Sequence, residues 1–168
     1  ATAYVAATRY KLDDNRPMLY KTNDYGATWT AISGNLPESD FTRCVREDPT
    51  QQGLLFAGTE TGIYVSSDDG GSWRSLRVNL PVAPVYDIIV KDDDLVAATH
   101  GRSFWIMDDL TQLRQLTGDV SSQAVRLLKP GLTHRLGPTG GRGMPSSVKS
   151  YQLGLGAVAT STESTDDT

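Results

Sequence analysis

The chain has 168 residues, enough for one ordinary domain, and 16 Lys+Arg against 20 Asp+Glu leave a net charge of −4. Weak acidity without a basic run argues against a nucleic-acid partner, and no apolar stretch approaches the ~20 residues of a membrane span. One cysteine cannot close an internal disulfide, and with only two histidines it cannot build a Cys/His zinc site.

The first repeat covers residues 1–35. It enters on a strand holding Val5-Ala6-Ala7-Thr8, turns through a long hairpin at Arg9–Pro17, and continues as Leu19-Tyr20-Lys21. A turn box follows, Thr22-Asn23-Asp24-Tyr25-Gly26-Ala27-Thr28-Trp29, and then Asn35-Leu36-Pro37. The second repeat, 36–79, adds a first strand at Phe41–Glu47 and then matches the first. Phe56-Ala57-Gly58-Thr59 answers Val5–Thr8, and Ile63-Tyr64-Val65 answers Leu19–Lys21. Ser66-Ser67-Asp68-Asp69-Gly70-Gly71-Ser72-Trp73 answers the box, and Asn79-Leu80-Pro81 closes it. The offsets 73 − 29 and 81 − 37 both give 44. In the third repeat, 80–117, strands fall at Val85–Lys91, Leu95–Thr99 and Ser103–Met107, with a fourth expected at Gln112–Leu116; Met107-Asp108-Asp109-Leu110 replaces the box. An extra strand is expected at Val125–Lys129, and 131–168 reads as a loop-rich, partly disordered tail.

Four short antiparallel strands per unit at a period near 44 describe a β-propeller blade. The expected fold is all-β, a partial propeller of about three four-stranded blades over residues 1–130. Three blades leave two open sheet faces, so remaining blades of a larger propeller are expected partners and the chain reads as a fragment.

Within each box, Asp24 or Asp68 can accept hydrogen bonds from its own turn, and Gly26 or Gly70 can supply positive φ. Thr22/Ser66 and Thr28/Ser72 add hydroxyls, and Trp29 and Trp73 are both expected to be mostly buried. This pattern resembles the Asp-box of bacterial-neuraminidase-type repeats, matched at every fixed position. That box occurs in sialidases, xyloglucan-cleaving hydrolases, sortilin-type receptors and photosystem assembly factors. The string Ala98–Leu110 is similar to the closing region of bacterial sortilin-like propeller proteins, often labelled glycosyl hydrolases. The resemblance spans roughly residues 3–130 and implies a propeller, a secreted or periplasmic setting, and a mouth that binds protein or glycan.

Sialidase chemistry is disfavoured because the Arg-Ile-Pro opening is absent; Asn15-Arg16-Pro17 lies in a hairpin. Glycoside hydrolysis needs two facing carboxylates, for which Glu60 and Asp87 are weak candidates, with any true pair mostly outside this chain. Asp87 and Arg43 are expected at equivalent inner-strand places (87 − 43 = 44), and Glu60 matches Arg9 and His100. His100, Arg102, Glu60 and Arg43 form the candidate ligand set, with a hydrogen-bonded structural loop as the plain alternative at His100–Arg102. Ser67–Gly70 and Asp92–Asp94 lack the spacing of a calcium loop, so no metal is expected. The glycines between Gly137 and Gly143 form no dinucleotide fingerprint and no Gly-x-Ser-x-Gly elbow is present, so no cofactor is expected. Cys44 aligns with Ile88 and is expected to be a buried structural thiol. A non-catalytic binding module leads; a fragment of a secreted glycoside hydrolase is the alternative.

Overall fold

The computed structural model describes residues 1–77, 79–116 and 127–129. These lie in a compact unit spanning Ala1–Leu132; a second unit, Thr133–Thr168, falls outside the described residues. Three antiparallel sheets follow one another along the chain. The first joins β1 (Ala3–Arg9), β2 (Asp14–Thr22) and β3 (Thr30–Ala31). The second joins β4 (Thr42–Glu47), β5 (Leu55–Thr59), β6 (Ile63–Ser66) and β7 (Arg74–Ser75), and the third joins β8 (Val85–Lys91), β9 (Asp94–Thr99) and β10 (Phe104–Met107). The all-β expectation holds, and strand positions follow the repeat. Each sheet is a meander, as short loops between consecutive strands require.

Alternation along the strands decides which sheet touches which. In β5 every side chain is buried, because both faces of the second sheet are covered. Leu55 and Ala57 join Leu19, Ile32, Leu36, Val45 and Trp73 in one cluster, against the first sheet. Phe56 points the other way, with Cys44, Ile63, Val85, Ile88, Leu95 and Ala97, against the third. Gly58 makes this second contact possible: a Cβ there would lie 2.6 Å from Cys44 Sγ and 2.8 Å from the Val85 carbonyl oxygen. Side chains as large as Phe56 and Leu55, fully removed from water, contribute about 1.5–3 kcal/mol each.

Several expectations need correction. The fourth strand expected at Gln112–Leu116 is not one: Thr111–Gln115 is a short helix, α1, with Leu116 as its C-cap. Leu110 and Leu113, three apart, lie on one face and plug the core between the second and third sheets. Arg114 reaches back to Asp48 at 3.0 Å and also pairs with Asp93, so the helix is tied to β-strand turns on two sheets. The first hairpin is also tighter than expected. β1 and β2 pair as far as Arg9 and Asp14, around a 3₁₀ turn at Tyr10–Leu12.

The inner-strand alignment shifts by one residue. Cys44 pairs with Gly58 and Asp87 with Ala98, so Cys44 and Asp87 are equivalent, at an offset of 87 − 44 = 43. Arg43 therefore corresponds to Tyr86, not Asp87, and Val45 to Ile88. Both strands carry the same β-bulge, between Thr42 and Cys44 and between Val85 and Asp87, which places Arg43 and Tyr86 at the extra residue. The shift itself arises in the preceding connection, which is one residue shorter from Pro81 to Val85 than from Pro37 to Thr42. Cys44 is nonetheless a buried thiol. The first repeat also slips by one: Tyr20 pairs with Val5 as Tyr64 pairs with Ala57, so Val5 takes the place of Ala57. Of the extra strand, residues 125–126 lie outside the described residues, and 127–129 are not in a strand. There the Lys129 backbone exchanges two hydrogen bonds with the Gln115 side-chain amide.

Candidate functional site at one end of the sheets

The two turn boxes adopt one geometry. Asp24 Oδ1 accepts from Thr28 N–H at 2.9 Å and from the Thr22 hydroxyl at 2.8 Å, while Oδ2 accepts from the Thr28 hydroxyl at 2.6 Å. Asp68 repeats this with Ser72 N–H, Ser66 and the Ser72 hydroxyl at 2.8, 2.7 and 2.6 Å. In both turns the residue after the aspartate is left-handed, Tyr25 at φ 61° and Asp69 at φ 62°, and Gly26 and Gly70 follow at 90° and 88°. Hydrogen bonds led by the Thr28 hydroxyl hold the Asp24 carboxyl down at about 2. For Asp68 burial works upward, but the Ser72 and Ser66 hydroxyls and Ser72 N–H outweigh it, and the net shift is downward. These carboxylates have their oxygens occupied by their own turns, which makes the boxes staples of the fold.

The tryptophans part company. Trp73 is 3% exposed, with its indole N–H donating to the Ile32 carbonyl at 2.7 Å. Trp29 is 46% exposed and its indole N–H turns back to Gly26 O at 3.1 Å. The expectation that both are mostly buried fails for Trp29, because burial is supplied by the preceding sheet and no sheet among the described residues precedes the first.

The boxes lie at the β6–β7 type of turn; the loops joining β1 to β2, β5 to β6 and β9 to β10 lie at the opposite end of the same strands. There the bulged residues and the loops meet. Glu60 N–H donates to Phe41 O and His100 N–H to Pro84 O, so Glu60 and His100 occupy the same place in successive repeats. Arg43 Nε lies 2.7 Å from Glu60 Oε2, and Nη2 lies 2.5 Å from the same oxygen. The guanidinium carbon sits 4.1 Å from the Tyr86 ring centroid, 4.9 Å from Phe41 and 5.9 Å from Tyr10. Tyr10 stacks on Phe41 at 4.9 Å, and Tyr86 lies 5.3 Å from the His100 ring. One cation is thus flanked by three rings and held by one carboxylate, and each such cation–π contact contributes about 0.5–2 kcal/mol. The Arg43 side chain is only 15% exposed, whereas Tyr10 and Tyr86 remain 40% and 49% exposed.

The structure therefore brings together three of the four expected ligand residues, Arg43, Glu60 and His100. The fourth, Arg102, sits on the same β9–β10 loop; its carbonyl accepts from the Trp105 indole, and its side chain is exposed with no ion-pair partner among the described residues. That loop needs left-handed backbone at Gly101 (φ 81°) and Ser103 (φ 62°). Asp87 stands apart from this cluster, paired with Arg46 at 2.7 Å. Arg9, once matched to Glu60, pairs with Asp14 at 3.8 Å instead. Tyr10, Phe41 and Tyr86 were missed as site residues; allowing for the shorter connection before Val85 would have aligned Tyr86 with Arg43.

Chemically, the end surface offers flat rings around a pre-formed ion pair. The two candidate carboxylates are each engaged by an arginine, Glu60 by Arg43 and Asp87 by Arg46. Among the described residues no three His, Cys, Asp or Glu side chains converge as a metal-binding group, and no helix is long and apolar enough to cross a membrane. The chain matches no family model and no curated protein, so these residues themselves carry the functional reading.

Proposed function

We propose that this chain forms consecutive blades of a β-propeller and that its mouth, lined by Tyr10, Arg43, Glu60, Tyr86 and His100, binds a protein or glycan ligand without cleaving it. The observation that carries the reading is the pair of exposed tyrosines, Tyr10 and Tyr86, around a largely covered guanidinium held by Glu60. Rigid aromatic rings give large contact area at small entropic cost, and Arg43 fixes their spacing. Three face-to-face sheets in chain order with matched turn boxes support the propeller part. Arg102 and His100 add donors at the rim. The test is selection from an oligosaccharide array and a random peptide display library, followed by affinity measurements on the selected ligands. Tyr86→Ala is expected to lose at least most of the affinity while Trp29→Ala keeps it. Selected ligands that bind Tyr86→Ala as well as the parent, or no selected ligand from either panel, would overturn the proposal.

A further inference from the structure

The second sheet shows what each face of such a sheet meets when neighbours are present. Its Val45, Ala57 and Trp73 face lies on the first sheet, and Trp73 has a seat there made by one segment. The indole donates to Ile32 O at 2.7 Å, Trp73 N–H donates to Asn35 Oδ1 at 2.7 Å, and Asn35 Nδ2 donates to Trp73 O at 3.0 Å. Gly34 sits between them at φ 47°, where a Cβ would come 3.0 Å from Gly71 O and 3.3 Å from Trp73 Cδ1. An aliphatic residue, a glycine and an asparagine thus form a clasp around the tryptophan of the next repeat. Beside it, Asp69 of the second box accepts from Tyr4 at 2.8 Å and pairs with Lys21, both from the first sheet.

The first sheet carries the counterpart of that face, with no sheet lying on it among the described residues. Val5, Tyr20 and Trp29 stand where Ala57, Tyr64 and Trp73 stand, and they line an open groove. Ala57 is 0% exposed and Val5 42%. No asparagine side chain reaches the Trp29 backbone among the described residues, and Tyr25, at the place of Asp69, is 88% exposed. Among the described residues the sheet edge is open too: β5 is flanked by β4, whereas β1 pairs on one side only.

We infer that the Val5–Tyr20–Trp29 face is a docking site for another antiparallel repeat of this kind, one whose last strand runs into an aliphatic-x-Gly-Asn-Leu segment that clasps Trp29. A second copy docking through its third sheet is a poor occupant, because Asp109, Leu110 and α1 replace the turn box and the last strand that would run into such a segment. The inference deepens the blade reading above and is independent of any ligand at the mouth.

The register specifies the test. Val5 and Ala57 differ by 57 − 5 = 52 positions, so a duplicate of residues 1–52 placed before Ala1 continues the chain as Gly53 follows Gln52. The extended chain gains a first strand for the first sheet and a second Ile-Ser-Gly-Asn-Leu clasp. Indole N–H exchange by ¹⁵N NMR and iodide quenching then read Trp29. Trp29 is expected to become as protected as Trp73, with a several-fold fall in quenching and a higher Tm. Gly34→Val with Asn35→Ala in the duplicate alone should return Trp29 to its former exposure while β-sheet circular dichroism persists. In the unextended chain, Gly34→Val should expose Trp73 to the level of Trp29. The inference is overturned by an extended chain that melts below the parent, by one that leaves Trp29 exposed, or by a clasp variant that protects it fully. It is equally overturned if the unextended chain shields Trp29 in a concentration-dependent dimer, which would make a second copy the occupant. Loss or failure of ligand binding at the mouth moves none of these readouts.

Discussion

Replacing the two box tryptophans separates what a sequence motif specifies from what its surroundings supply. Trp73→Ala removes a ring that is 97% covered (3% exposed), opens a cavity between the first and second sheets, and leaves the Ile32 carbonyl without its indole donor. Large-to-small changes of this kind cost about 3–5 kcal/mol, which is a large share of the ~5–15 kcal/mol that holds a typical domain together. Trp29→Ala removes a ring that is 46% exposed and whose N–H bonds only its own turn. A ring of ~200 Å² about half buried at ~25 cal/mol per Å² gives roughly 2–3 kcal/mol as an upper figure, because the unfolded chain already covers part of the ring. An open face adds no cavity cost, so about 2 kcal/mol is expected. Urea unfolding followed by circular dichroism reads the difference as a shift in midpoint at unchanged m-value. Trp73→Phe should fall between the two. Equal losses for Trp29→Ala and Trp73→Ala would refute the assignment of burial to the neighbouring sheet.

Acid stability should report the boxes: Asp24 is held at about 2 and Asp68 is lowered, against an unfolded value near ~3.9. Their contribution is complete above about pH 4 and disappears as pH falls through the folded values, so Asp24→Asn with Asp68→Asn should flatten the stability loss between about pH 4 and 2. Arg114→Met should cost about 3 kcal/mol or more, because it leaves the fully buried Asp48 carboxylate without its guanidinium; Asp48→Asn in the same chain should recover part of the loss in thermal melts. Burial pushes the Cys44 thiol up to about 11, so native protein should react with a thiol-specific disulfide reagent far more slowly than urea-unfolded protein, at a rate limited by opening.

The strands and their grouping were legible because β-prone runs recur at a nearly fixed period, and both boxes fold as their residue types dictate. What the residues around position 29 could not reveal is exposure: the local sequence of the box is the same whether or not a sheet lies on it. The helix at Thr111–Gln115 escaped for a different reason. Five residues are too few for a helical period to stand out, and its anchor, Asp48, is 66 positions away from Arg114. At this end of the sheets, a uniform offset of 44 hid the equivalence of Arg43 and Tyr86, since the connection before Val85 is one residue shorter than the one before Thr42. Glu60 and His100 were found because their loop follows a threonine in both repeats. Tyr10 and Phe41 became visible only once the sheets were stacked.

The most direct measurement is a ¹H–¹⁵N NMR titration of the chain with a ligand taken from the oligosaccharide or peptide selection, with the ligand itself followed by mass spectrometry. Shifts concentrated at Tyr10, Arg43, Glu60, Tyr86 and His100, with the ligand recovered intact, are the predicted result. Shifts confined to the opposite end, around Tyr4, Glu47 and Asp69, or a ligand returned cleaved, would contradict it.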